Sequence, residues 1–322
     1  MNNIRWGLVS TANINRRVIP AIRECQRSEL VAVASRDLQQ ARDYAQKWEI
    51  PQAFGSYQAM LDSDQVDAVY VSLPNHLHAE WAIKAMQAGK HVLCEKPFAT
   101  SLEDVERMIA ASQQTGRKLA EAFMYLHHPQ MDIVNQWVQS GKLGDIVLVR
   151  ANFNFQTTNS QDVRLQPELG GGCLWDVGVY PISFAQSVFG GPPDRVFGWQ
   201  WIGSSSVDEV FTGEMFYPGG GVAQISSSFR CPMYTSAEVI GSEGRLALDR
   251  PFVMPDKQPA VRFYRSQEEV EEIPIPKKSL YLGEIEDMVG AILDGSPLRI
   301  TLDETRNHVK TVLELYQAAK ML

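Results

Sequence analysis

The first 125 residues alternate short apolar runs with helix-like segments, and that alternation constrains the fold more than any other feature of the chain. The runs Arg5–Val9, Leu30–Ser35, Ala68–Leu73, His91–Cys94 and Leu119–Met124 read as buried strands. Between them, Ile14–Cys25, Leu38–Lys47, Leu77–Ala88 and Leu102–Thr115 carry helical periodicity. Strands linked through helices must pair in parallel, and a parallel sheet needs cover on both faces. The punctuation agrees. Asp37 with Gln40, and Ser101 with Asp104, stand where N-caps and their first-turn partners belong. Gly89 and Gly116 follow helices where a left-handed residue is needed.

Beyond Tyr125 the pattern changes. Pro129 opens a helix to about Ser140, and one further helix runs from about Asp176 to Phe189. The rest is β-like: Ile146–Phe155, Arg195–Trp201, Phe211–Tyr217, Val222–Phe229, Ser236–Ile240, Arg245–Leu248 and Val261–Tyr264. Clusters such as Pro218-Gly219-Gly220-Gly221 separate them, and short turns between successive strands imply a mostly antiparallel sheet. Two helices close the chain, from about Leu282 and from Thr301, the latter with a Thr301/Glu304 capping box. The expected fold class is therefore α/β. A doubly wound parallel sheet of the Rossmann type occupies 1–125, and an α+β domain with a large, open-faced, mostly antiparallel sheet occupies 126–322. An open sheet face calls for a partner, so a homodimer or homotetramer is expected. The polar loop 156–172 is long enough to suggest a functional role.

Charge and composition exclude several classes. The formal net charge is −8, which argues against a binder of nucleic-acid backbone. No run approaches the ~20 apolar residues of a membrane span, and the start has no apolar stretch of signal-peptide length. Cys25, Cys94, Cys173 and Cys231 form no Cys-x-x-Cys pair. Adjacent His127 and His128 point different ways and lack acidic or thiol partners, so no metal site is expected. A reducing cytoplasm is the expected location.

The turn after the first strand is the first functional candidate. A dinucleotide fingerprint would place glycines at 10, 12 and 15, but Ser10, Ala12 and Asn15 stand there. Small residues at 10 and 12 still let a backbone approach a pyrophosphate. Ser10, Thr11, Ala12, Asn13 and Ile14 lead into a helix whose first N–H groups are free. The competing reading is an ordinary strand–helix turn. The end of the second strand favours the nucleotide. There Ser35 and Arg36 offer a hydroxyl and a permanent charge to a 2′-phosphate, while Asp37 reads as a helix cap. The cofactor expected is NADP, with NAD, which wants an acid at this place, as the alternative.

Cys94-Glu95-Lys96-Pro97 ends the fifth strand at the edge where ligands bind in open α/β sheets. Pro97 disfavours helical geometry at Lys96. Together with Pro74-Asn75-His76-Leu77-His78, Glu121-Ala122-Phe123-Met124-Tyr125, Gly170-Gly171-Gly172 and Asp176-Val177-Gly178-Val179-Tyr180, this segment resembles the Gfo/Idh/MocA family (glucose-fructose oxidoreductase / inositol dehydrogenase). The likeness spans nearly the whole chain, and the opening Arg5-Trp6-Gly7 with Tyr180 is most similar to the branch of NADP-dependent D-xylose and dimeric dihydrodiol dehydrogenases. The resemblance implies hydride transfer to or from a sugar, polyol or diol.

Such a reaction needs a group to carry the hydroxyl proton. The family's Asp-x-x-x-His becomes Asp176-x-x-x-Tyr180, and residues four apart on a helix share a face. A free tyrosine ionises only near ~10, and an ammonium favours the phenolate. Lys96 either tunes Tyr180 in this way or contacts the substrate oxygen itself. The resemblance further implies that Leu73, Pro74, Asn75, His78 and Glu95 line the cofactor, and that Tyr125 and Arg164 meet the substrate. For His78 the alternative is a helix-face residue packed on the sheet, and for Arg164 an exposed loop cation. Many relatives carry arginine where Leu126 stands, which weakens any substrate borrowed from one of them. A rival function is a nucleotide- or sugar-sensing regulator of the same fold, which would need neither Lys96 nor Tyr180.

Overall fold

The computed structural model describes residues 3–253 and 260–320, which form two compact units. The first opens β1 (Ile4–Val9), α1 (Asn15–Glu24), β2 (Ser28–Ala34), α2 (Leu38–Lys47), β3 (Gln52–Phe54), α3 (Tyr57–Leu61) and β4 (Ala68–Val71). It continues with α4 (His78–Gln87), β5 (His91–Glu95), α5 (Leu102–Thr115) and β6 (Leu119–Ala122). The strands pair in parallel in the order β3-β2-β1-β4-β5-β6. The order reverses beside β1, so the carboxyl ends of β1 and β4 flank the crevice where ligands enter such sheets. Asp37 and Ser101 cap α2 and α5 as expected, accepting from Gln40 N at 2.8 Å and Asp104 N at 3.1 Å. The sequence reading omits β3 and α3, because three half-buried residues and a five-residue helix are too short to show a period.

The second unit contains α6 (Pro129–Gln139), β7 (Ile146–Gln156), α7 (Val179–Phe189), β8 (Arg195–Ile202), β9 (Asp208–Phe216), β10 (Val222–Ser228), β11 (Arg230–Gly241), β12 (Gly244–Leu248), β13 (Ala260–Tyr264) and β14 (Val270–Pro274). Its eight strands run β14-β13-β12-β11-β7-β10-β9-β8, all antiparallel except the β7–β10 pair. Phe153, Phe211, Met215, Ile225, Val239 and Leu246 bury one face. On edge strand β8, Phe197, Trp199 and Trp201 alternate on the other face and stand exposed. The sequence reading also omits β14, whose Val-Glu-Glu-Ile-Pro is polar and exposed because it lies at the sheet's edge.

Two helices close the chain, α8 (Leu282–Leu293) and α9 (Leu302–Ala319). The expected division at 125/126 gives the whole C-terminal part to the second domain. Instead, among the described residues, 281–305 packs with 3–127 as one unit, and 306–320 joins 128–253 and 260–280. The reason is burial: Ile285, Met288 and Val289 of α8 are at most 1 % exposed and share a core with Trp6, Leu8, Ile22 and Tyr70. The Thr301/Glu304 box forms as read, with Glu304 N donating to Thr301 Oγ1 at 3.1 Å and Thr301 N to Glu304 Oε2 at 2.7 Å. No helix among the described residues is long and apolar enough to cross a membrane.

The amino edge of the parallel sheet holds an acid-sensitive contact. His91 Nδ1 accepts the Lys118 N–H at 2.9 Å, which requires a bare ring nitrogen. Burial first, then Arg117 and Lys118, push this histidine down to about 4. A histidine depressed in the folded state favours folding above its unfolded value near ~6.5, and that contribution fades as pH falls towards the folded value. Since the ring is only half-buried, solvent screening reduces the effect to on the order of 1 kcal/mol between pH 7 and pH 5. His91→Asn keeps an acceptor that does not titrate. Urea unfolding at the two pH values should show wild type losing about that much more stability than the variant, and parallel losses would remove His91 as the cause.

Candidate active site

The β1–α1 turn replaces the glycine fingerprint with a closed polar network. Ser10 takes a φ of +126°, a conformation normally left to glycine. Its hydroxyl donates to Ser72 O at 3.1 Å and accepts the Ala12 N–H at 3.1 Å. Asn15, fully buried where the third glycine would stand, donates from Nδ2 to Ser10 O at 2.9 Å and accepts from Ser72 Oγ at 2.8 Å. Side chains thus hold a geometry that glycine would permit but not enforce. Helix α1 begins at Asn15, one residue later than the sequence suggests, and the Asn15 and Arg16 N–H groups bond back to Ala12 and Asn13. Ala12 is half-buried and Asn13 exposed, so the turn's backbone stays approachable by a phosphate. Arg16 and Arg17, exposed in the first turn of α1, add positive charge that the fingerprint did not predict.

The end of β2 separates the cation from the acid. Asp37 Oδ1 is occupied as the cap of α2. Ser35 Oγ donates to Gln40 Oε1 at 2.9 Å and accepts the Asp37 N–H at 3.3 Å. Arg36 is exposed and hydrogen-bonds the Tyr57 hydroxyl. Burial raises Tyr57, and the Arg36 guanidinium pulls it back. An exposed guanidinium held by a tyrosine, beside an acid turned away into a cap, fits a 2′-phosphate better than a ribose hydroxyl. Tyr57 was not legible, since it lies on the unpredicted α3.

Lys96 follows β5 in a segment fastened from several sides. Glu95 Oε2 accepts the Lys96 N–H at 3.1 Å, and Glu95 Oε1 accepts from the Tyr70 hydroxyl. Pro97 O faces His78 Nδ1 at 2.9 Å, and the Phe98 N–H donates to the buried Glu121 Oε1 at 3.1 Å. His78 is 1 % exposed, and its Nε2 faces Leu73 O at 2.7 Å. The ring thus stands between the carbonyls of Leu73 and Pro97, an arrangement that fits the packing reading. Burial pushes His78 below its usual value, opposed by the two carbonyls, which favour a protonated ring. Leu73 is buried, while Pro74 and Asn75 are half-buried in a short turn before α4. Behind Glu95 lies Glu284 of α8, 1 % exposed, whose two carboxyl oxygens have no partner among the described residues. Burial, then the Glu95 charge, push Glu284 well above the usual carboxyl range. Tyr125 is fully buried edge-on to Phe123, and Leu126 is buried too.

In the second unit Asp176 and Tyr180 lie across a change of helix type. Leu174–Gly178 is a π-helical turn that runs directly into α7. The regular helical face expected for the pair is thus interrupted, and one extra residue per turn rotates Asp176 relative to Tyr180. Asp176 Oδ2 accepts from Arg164 Nε at 2.8 Å, so the loop cation is exposed and yet has a specific partner. Asp176 first, then Asp162, raise the Arg164 guanidinium above its usual value. Tyr180 is 5 % exposed, its ring 5.1 Å from that of Phe153 and 5.5 Å from that of Phe252.

Comparison with known proteins gives the family. Residues 4–123 match the model of an oxidoreductase family with an NAD-binding Rossmann fold, and 132–247 match the GFO/IDH/MocA C-terminal domain. The chain is 35% identical over 318 residues to the D-xylose 1-dehydrogenase (NADP(+)) 2 of Haloferax volcanii, covering 98% of this chain and 97% of the relative. The chain belongs to the GFO/IDH/MocA oxidoreductase family. Another member, the trans-1,2-dihydrobenzene-1,2-diol dehydrogenase of Bos taurus, is 32% identical over 255 residues, 78% of this chain and 76% of that one. A crystal structure of a 3-ketoreductase from Actinomadura kijaniata with NADP and TDP-benzene superposes with a TM-score of 0.91 at 32% identity, covering 98% of both chains.

Within this family member the buried supports were the part the sequence reading missed. Asn15, Ser72, Tyr70 and Glu284 act on candidate residues through hydrogen bonds or charge, and Glu121 holds Phe98 two residues after Lys96. Glu121 lay inside a quoted motif, and an acid in an otherwise apolar strand was the available signal. Among the described residues no group of three metal-ligating side chains occurs. His127 Nε2 faces Asp287 at 3.2 Å, and His128 caps α6.

Proposed function

We propose that this GFO/IDH/MocA member is an NADP-dependent dehydrogenase or reductase acting on a hydroxyl or carbonyl of a sugar, polyol or diol. The observation that carries it is Lys96, held at the carboxyl edge of a dinucleotide-type sheet by Glu95, Glu121 and the His78 brace. Ser10, Thr11, Ala12, Asn13 and Ile14 would accept the pyrophosphate on the turn and helix start, helped by Arg16 and Arg17. Ser35 and Arg36 would take the 2′-phosphate. Leu73, Pro74, Asn75 and Glu95 would line the remainder. When bound, the nicotinamide supplies the hydride acceptor or donor.

The chain's own residues manage the proton and the developing charge. Tyr180 takes the hydroxyl proton in oxidation and returns it in reduction. Lys96 stabilises the negative charge on the reacting oxygen or on the phenolate. Asp176 and Arg164, already paired, hold substrate hydroxyls. The sugar class draws on the relatives: a xylose dehydrogenase, a diol dehydrogenase and a ketoreductase. Four cysteines without bridges suit the cytoplasm.

Phe197, Trp199 and Trp201, exposed on one face of β8, suit a sheet face covered by a second copy of this chain. Light scattering at micromolar concentration should give a dimer or tetramer, and a monomer would oppose that use of the face.

Arg36→Ala should weaken NADPH by on the order of 1.5–3 kcal/mol and NADH far less, because only the former carries the extra phosphate. Fluorescence titration of both nucleotides decides it, and equal losses would mean that Arg36 does not read the phosphate.

For the chemical step, Tyr180→Phe removes the hydroxyl and keeps the stacked ring. Hydride transfer from D-xylose to NADP, followed in a single turnover by NADPH absorbance, should slow about 10²–10⁴-fold. Lys96→Met should be as damaging, and the double variant should lose less than the product of the two. An unchanged rate and pH profile in Tyr180→Phe would remove it as the proton carrier.

A further inference from the structure

The start of the π-helical turn is tied to a buried carboxylate that no reactive motif includes. Asp208, the first residue of β9, is 3 % exposed. Its Oδ2 accepts the Leu174 N–H at 2.8 Å and faces the Cys173 thiol at 3.2 Å, and its Oδ1 accepts the Tyr316 hydroxyl at 2.7 Å. No cationic side chain pairs with it among the described residues. A buried carboxylate without a counter-charge is costly, and converging donors are what make it tolerable.

What Asp208 grips is the segment that delivers the candidate catalytic pair. Gly172 has a φ of +121°, and a Cβ there would lie 2.2 Å from Asp208 Oδ1 and 2.8 Å from the Tyr316 hydroxyl. The chain passes too close to the carboxylate for any side chain at that position. From this anchored point three contacts lead outward. Gly172 N donates to Arg164 O at 3.0 Å, Asp176 N donates to Gly172 O at 3.0 Å, and Arg164 Nε returns to Asp176 Oδ2 at 2.8 Å. The Trp175 ring lies 5.9 Å from that of Tyr316, and Tyr180 follows as the second residue of α7. Asp176, Arg164 and Tyr180 all belong to one hydrogen-bonded stretch whose fixed end is Asp208.

We infer that Asp208 is a positioning residue for this oxidoreductase: by holding Gly172–Leu174 it sets the π-helical turn, and with it the placement of Asp176, Arg164 and Tyr180. The inference rests on the reading that Asp176 and Tyr180 serve the chemical step. The hydrogen bond to Leu174 N–H is the working part and the charge is not. Asp208→Asn can offer its amide oxygen to Leu174 and its NH2 to the Tyr316 oxygen, whereas Asp208→Ala can do neither.

Hydrogen exchange read by mass spectrometry on the peptide covering 172–178 tests the anchoring without any substrate. Asp208→Ala should exchange there at least tenfold faster, with the peptides of β1–β6 unchanged, and Asp208→Asn should restore most of the protection. In oxidation of D-xylose by NADP, Asp208→Ala should lower kcat about 10²-fold with KM changed less than threefold, and Asp208→Asn should recover most of the loss. If Asp208→Ala does not fold, Tyr316→Phe, which removes one donor and keeps the ring, should shift exchange and kcat in the same directions by smaller factors. Unchanged exchange in Asp208→Ala, or an Asn variant as impaired as the Ala variant, overturns the inference. Normal turnover in Tyr180→Phe would instead sink the catalytic reading, while the exchange result would still judge the anchor.

Discussion

Polar backbone groups at the carboxyl ends of the parallel strands are buried, and each must find a partner inside the protein. The positions of Ser10, Leu73, Glu95 and Lys96 follow from how they do so. Asn15 closes the β1–α1 turn by bonding Ser10 O and the Ser72 hydroxyl together. Glu121 takes the Phe98 N–H, Glu95 takes the Lys96 N–H, and His78 stands between the carbonyls of Leu73 and Pro97. Stripping one partner from such a buried pair costs about 1–3 kcal/mol. Lys96 is therefore presented on a segment whose backbone has few alternatives.

The two units use the same device. In the first, the buried Glu121 carboxylate accepts a backbone N–H two residues after Lys96. In the second, the buried Asp208 carboxylate accepts a backbone N–H two residues before Asp176. An acid on a strand reaches a neighbouring segment that has no regular hydrogen-bond partner of its own. A side-chain oxygen placed on a strand gives such a segment the fixed acceptor that its own backbone lacks. Charge is also sorted by depth. Glu121 and Glu284 are buried and Glu95 half-buried, while Arg16, Arg17 and Arg36 stand exposed.

Much was legible before any coordinates. The period of the apolar runs, the caps at Asp37 and Ser101 and the turn clusters give the element order, because they depend on neighbours a few residues away. The motifs around Lys96 and Tyr180 give the family, because reactive side chains need particular residue types at particular spacings. Elements too short or too polar to show a period, such as β3, α3 and β14, left no such mark.

The sequence by itself determined the two-part α/β architecture, the cation at 36 ahead of the capping acid at 37, and which residues are candidates for the chemistry. All of these are properties of local order along the chain. Tertiary structure decided the rest: that α8 returns to the first unit, that His78 stands between the carbonyls of Leu73 and Pro97, that Asp176 lies on a π-helical turn and pairs with Arg164, and that Asn15, Glu121 and Asp208 hydrogen-bond the segments that carry candidate residues. Their partners are distant in sequence or set by close approach: Ser72 lies 57 residues from Asn15, and Asp208 34 from Leu174. A contact of that span exists only once packing has brought the segments together, so no local pattern can encode which residue will meet which.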